Sequence, residues 1–269
     1  MSQRVKPTLL GVLLVMMWLA AACASKGAPV SATHQQADQR FNAASRALAL
    51  GQPERAVQQF QQAIVLYDGL YALPQRTQAV LGLSRALSES GRVEEAMQCV
   101  QQALTTDLAL SAADRSQLLG RKASLWLAQG DSEAAATAAL QAQTECHSRC
   151  PDHAALTVLQ ARIALARGAW VEGKDKASQA SLLAADKPRE QANALRVLAQ
   201  AELKLQQAQA AILAAEQALA IDQRLGLPPR IALDLQLLAE AHAAAGDVAK
   251  AAQYRQAAER ARAAAGKLR

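Results

Sequence analysis

Aromatic residues are scarce: three Trp, three Tyr and two Phe make up 3% of a 269-residue chain that is 51% hydrophobic. A compact globule of this length recruits more large rings, so the shortage speaks against one large core. It favours helices packed closely through Ala and Leu, since Ala has the highest helix propensity and lets helix axes approach. Excess charge is also lacking. The formal net charge is +6, and Arg4 and Lys6 lie in an N-terminal stretch that reads as cleaved, which leaves +4. Dense basic stripes interleaved with aromatics are missing, and with them the usual signature of nucleic-acid binding. No Ser/His/Asp set, glycine-rich phosphate loop or paired-carboxylate motif emerges, so the sequence predicts no catalytic residues, no cofactor and no enzyme.

What the chain does have is one phrase repeated six times. A turn residue is followed five positions later by a small residue and seven further by an alanine: Gly51, Ala56, Ala63; Gly91, Ala96, Ala103; Gly130, Ala135, Ala142; Gly168, Gly173, Ala180; Gln206, Ala211, Ala218; Gly246, Ala251, Ala258. The turn positions step by 40, 39, 38, 38 and 40 residues. A fixed period of this size marks a solenoid of helical hairpins. Apolar residues at helical spacing lie on both sides of each turn, for example Val80, Leu83 and Leu87 before Gly91, and Val93, Met97 and Val100 after it. A further small residue sits midway along each first helix: Ala44, Ser84, Ala123, Ala161, Ala199 and Ala239. Pro74, Pro151, Pro188, Pro228 and Pro229 fall between repeats, and Pro53 opens a second helix. The last hairpin carries Arg255, Glu259 and Arg262 where earlier repeats have apolar residues, as expected of a face with no neighbour to cover it.

The phrase resembles the tetratricopeptide repeat, over roughly Ala37 to Ala264. The period is longer than the 34 residues of the standard repeat, the early aromatic of the first helix is missing, and Gln143 and Ser181 stand where Leu is expected. The resemblance implies an all-α, right-handed superhelical solenoid of about six helical hairpins, filling residues 37–269, with a concave face lined by first helices.

Residues 1–22 read as a signal peptide: Arg4 and Lys6, then an uncharged run from Thr8 to Ala22, short of the roughly 20 apolar residues of a spanning helix. It ends Leu19-Ala20-Ala21-Ala22-Cys23, which resembles a bacterial lipobox, with Cys23 lipidated and a flexible tether over residues 23–36. An ordinary signal peptide cut within Ala20 to Ala24, with Cys23 incidental, is the alternative. Ala24 after the cysteine implies outer-membrane rather than inner-membrane retention, facing the periplasm. Together the two resemblances imply a scaffold or adaptor lipoprotein of envelope assembly, with type IV pilus biogenesis foremost. Outer-membrane protein insertion, polysaccharide export and peptidoglycan synthesis are the other settings.

Two sets of residues stand out as sites. Cys146 and Cys150, with His147 and His153 beside them, form the one local cluster of reactive types. Their spacing matches no CxxC, haem-attachment or zinc-knuckle pattern, and a disulfide in an oxidising compartment is the favoured reading over a metal or redox centre. Cys99 reads as a small core hydrophobe. The second set lies on the first helices: Arg85, Arg121, Arg162 and Arg196, with Gln200 and Lys204 following. Arginine presents paired donors to carboxylates, so these residues are candidates for a groove that binds a protein segment, the alternative being a solvated helix face.

Overall fold

The computed structural model describes residues 31–106, 109–146 and 152–267, which form twelve helices and no strand. They pair as six antiparallel hairpins: α1 (Ala32–Ala49) with α2 (Pro53–Gly69), α3 (Leu73–Glu89) with α4 (Val93–Thr106), α5 (Ala112–Ala128) with α6 (Ser132–Cys146), α7 (His153–Ala166) with α8 (Trp170–Leu183), α9 (Pro188–Lys204) with α10 (Ala208–Leu225), and α11 (Pro228–Ala244) with α12 (Val248–Lys267). The fold is all-α, a repeat solenoid of helical hairpins, as the period requires.

The repeated phrase explains each hairpin. Gly51, Gly91, Gly130, Gly168 and Gly246 all turn in the left-handed region, at φ 73° to 85°. Glycine adopts it without a Cβ penalty, and Gln206 does the same job at φ 60°. The alanines that follow have essentially no exposed surface: Ala56, Ala96, Ala135, Ala211 and Ala251, then Ala63, Ala142, Ala180 and Ala218. They face Ala44, Ser84, Ala123, Ala161 and Ala199, which are equally buried. Small residues on both sides bring each pair of helices close. Pro53, Pro74, Pro188 and Pro228 occupy the first turns of their helices, where the missing N–H leaves nothing unpaired. Ser31 caps α1, its Oγ accepting from the His34 N–H at 3.2 Å. The helix therefore starts at Ala32, and residues 32–36, expected in the tether, are helical.

Stacking decides which faces remain open. Each hairpin packs on the next, and the first helices also touch one another in the series α1, α3, α5, α7, α9, α11. The second helices form an outer layer in the gaps. One large ring is used where two hairpins meet: Phe60 of α2 lies against the α3 backbone at Gly82, and a Cβ there would come within 2.3 Å of the ring. Phe41 meets Phe60 edge-on, with ring centroids 5.7 Å apart. On the last helix Arg255 and Glu259 are exposed, as an uncovered terminal face demands. No described helix is long and apolar enough to cross a membrane.

The inner series curves far enough for the first hairpin to meet the sixth. Pro229, in the first turn of α11, stands at the Gly51 turn, where a Cβ would lie 3.1 Å from the proline Cγ. This contact places α11 across the concavity from α3.

Candidate binding site in the concavity

A cavity of about 340 Å³ lies inside that curve. It is walled by Arg85, Ser88 and Glu89 of α3, Arg121 and Ser124 of α5, Arg162 of α7, Arg189, Glu190, Asn193 and Arg196 of α9, Asp222 of α10 and Arg230 of α11. All four arginines singled out in the sequence meet here. Gln200 and Lys204 do not; they follow Arg196 along α9 and are exposed outside the chamber.

The arginines differ in how they are held. Arg196 is buried, its Nε donating to Asp234 Oδ1 at 2.6 Å and its Nη2 to Asp222 Oδ2 at 2.6 Å. Both carboxylates are fully buried, and Asp222 Oδ1 and Asp234 Oδ2 have no other hydrogen-bond partner. Arg196 is thus a structural tie between α9, α10 and α11. Burial pushes the Asp234 carboxyl up to about 7, with Arg196 opposing and Asp222 reinforcing the rise. Arg85 is half-buried and pairs with Glu89 one turn on, at 2.9 Å.

Arg121, Arg162 and Arg230 have no such neutralisation; among the described residues no carboxylate reaches them at ion-pair distance. Arg121 is oriented by Ser84, donating from Nε to its Oγ at 2.8 Å and from Nη2 to its carbonyl at 2.9 Å. Loss of bulk solvent pulls its pKa down to about 10, and Arg85 and Arg162 push the same way. Arg230 is lowered to about 10 by burial, then by Arg85 and Arg196. Arg162 keeps water contact inside the concavity, and desolvation lowers it too. All remain charged at neutral pH, so the chamber concentrates positive charge.

A second hollow of about 290 Å³ adjoins the chamber and shares Arg121 and Ser124 with it. Leu81, Gly120, Ala155, Leu156 and Leu159 supply its apolar wall. Gln78 donates to Gln117 at 2.5 Å, and Gln117 to Asp152 at 2.6 Å, along its rim.

Comparison with known proteins agrees with the fold. Residues 47–118 match the tetratricopeptide repeat profile. That match covers about a quarter of the chain, and the rest shares its architecture of paired helices. The Rap conjugation gene regulator of plasmid pLS20, solved in complex with the Phr* peptide, superposes with a TM-score of 0.70 at 16% identity, over 95% of this chain and 69% of that one. A Rap protein complexed with competence and sporulation factor gives 0.63 at 12%, over 86% and 67%. BtubC from P. vanneervenii gives 0.58 at 19%, over 87% and 92%. At these identities the likeness is one of fold. No curated protein sequence matches the chain.

Outside the concavity, Cys146 is buried at the end of α6 and engaged in a disulfide. Cys150 and His147 lie outside the described residues, as does Cys23. Among the described residues no three His, Cys, Asp or Glu side chains gather as metal donors. Cys99 is a free, half-buried thiol whose pKa burial raises to about 11, which leaves it protonated and inert. Sequence reasoning missed Arg230, Asp222 and Asp234. Asp234 sits 38 residues after Arg196, one repeat on, so the period itself pairs the two.

Proposed function

We propose that the protein is a non-catalytic adaptor that captures a segment of a partner protein in its concavity. The observation that carries this is the arginine-walled chamber, built by five of the six hairpins at the centre of the curve. Tetratricopeptide solenoids bind proteins and peptides on such surfaces, and the superposable Rap regulator was solved with a peptide bound. For setting, we place the adaptor at the periplasmic face of the outer membrane, anchored through lipidated Cys23, and in envelope assembly, with type IV pilus biogenesis first. Support for that setting is the order of signal, small residues and cysteine at the N-terminus, followed by a repeat domain. Stable anchoring needs two or more acyl chains, which a bacterial lipoprotein carries.

In-cell photo-crosslinking tests both halves. A benzophenone amino acid at Ser124, inside the chamber, should yield a discrete adduct that the same probe at Leu140, on the outer layer, does not. In the same cells Cys23→Ser should move the protein from the membrane to the soluble fraction. Equal adducts from both positions overturn the concave reading, and unchanged membrane retention overturns the anchor.

A further inference from the structure

Two features of the concavity, taken together, narrow what can sit there. Six arginines face the chamber, against Glu89, Glu190 and Asp222. Glu89 is spent on Arg85 and Asp222 on Arg196, and Glu190 lies 3.9 Å from Lys187, while α11 stands across the chamber from α3. That leaves Arg121, Arg162 and Arg230, on three separate hairpins, and the exposed Arg189, facing one space with no carboxylate at ion-pair distance among the described residues. Immediately beside them the wall changes character. Gly120 has no side chain, so the floor between α5 and α7 opens onto Leu156, Leu159 and Leu81. A Cβ on Gly120 would stand only 3.1 Å from Leu156 Cδ2. Arg121 belongs to both hollows, so a ligand spanning them meets an apolar wall and then guanidinium groups within a few ångströms.

We infer that the occupant is an acidic protein segment in which an apolar side chain directly neighbours one or more carboxylates, the apolar residue seated over Gly120 and the carboxylates held by Arg121, Arg162 and Arg230. This rests on the segment-binding reading above and specifies its chemistry. Each hollow sits at the low end of ligand-site volumes, about 300–1,000 Å³, which suits a few extended residues rather than a folded surface. Fixed guanidinium forks favour planar carboxylates. A bound anion relieves the repulsion that Arg85, Arg121 and Arg162 exert on one another, so the site is better formed when occupied. Empty, it carries a cost, the usual condition of a site held ready for a ligand.

Fluorescence anisotropy on the mature chain tests it, with labelled nine-residue peptides of Gly-Ser flanks and a central Leu-Glu-Glu, Leu-Gln-Gln or Ser-Glu-Glu, and inorganic phosphate as competitor. Leu-Glu-Glu should bind about tenfold or more tightly than Leu-Gln-Gln, as charge-assisted bonds exceed neutral ones, and more tightly than Ser-Glu-Glu. Its affinity should fall with added salt. Arg162→Gln should weaken Leu-Glu-Glu severalfold while leaving the melting temperature unchanged or higher. Ala155→Phe, which fills the apolar hollow from an exposed position, should abolish the preference for Leu over Ser. Equal binding of the Glu and Gln peptides overturns the charge assignment while leaving segment binding intact. Equal binding of Leu and Ser peptides overturns the apolar half. Displacement or binding by phosphate alone, with no peptide bound, shows a small-anion site and overturns both the inference and the segment reading.

Discussion

At the scale of single residues, the molecule separates arginines that hold the fold from arginines that face the open chamber. Arg196 belongs to the first kind. Its two carboxylate partners lie on α10 and α11, and removing the guanidinium would leave two buried carboxylates, a defect costing about 3–5 kcal/mol. The tie has one carboxylate too many, and the excess appears at Asp234. Its carboxyl is raised from the ordinary 3.8 to about 7, first by burial and then by Asp222. The folded chain therefore retains a proton that the unfolded chain has lost between about pH 4 and pH 7. Stability from this group falls as pH rises through that window and is level above it. Asp234→Asn keeps an oxygen for the Arg196 Nε and offers N–H to Asp222 without the extra charge. Chemical denaturation at several pH values should show the variant more stable than the parent at pH 8, with this component of the slope between pH 4 and 7 gone. A variant less stable at pH 8 would mean that Asp234 is ionised in the folded protein and fully paired by Arg196.

Helices and hairpins show which parts of the fold were written locally. Every hairpin solves the same problem, a tight turn followed by close contact of two helices, so the glycine and the alanines recur in register and were readable without a structure. The starts of helices were less readable. Pro74, Pro188 and Pro228 look like separators but serve as first-turn residues, and Ser31 caps a helix in what read as tether. Gly82 was silent in the sequence because its reason lies on another helix. By propensity alone Gly82→Ala should stabilise α3 by about 1 kcal/mol. The buried Phe60 ring, however, stands within 2.3 Å of the new carbon, and such overpacking costs about 1–3 kcal/mol. The packing term is the larger, so the denaturation midpoint should drop. A rise would show that the ring yields easily and that the contact between α2 and α3 is loose.

For the whole molecule, the decisive event is the curve that brings α11 opposite α3. It gathers residues as far apart in sequence as Arg85 and Arg230, which no local pattern links. The four arginines of α3, α5, α7 and α9 could be proposed from their register on first helices. Arg230 could not, since its place depends on how far the solenoid bends, a property summed over all the hairpin interfaces. Gln200 and Lys204 lie further along α9, exposed and beyond the chamber lining. Function on this account belongs to the inner layer and to no single hairpin. Amide hydrogen exchange of the mature chain, with and without saturating Leu-Glu-Glu peptide, tests that most directly. Bound peptide should slow exchange along α3, α5, α7 and the start of α11, and leave α4, α6 and α8 as they were. Protection confined to the outer helices would place the binding surface on the convex side and contradict the account.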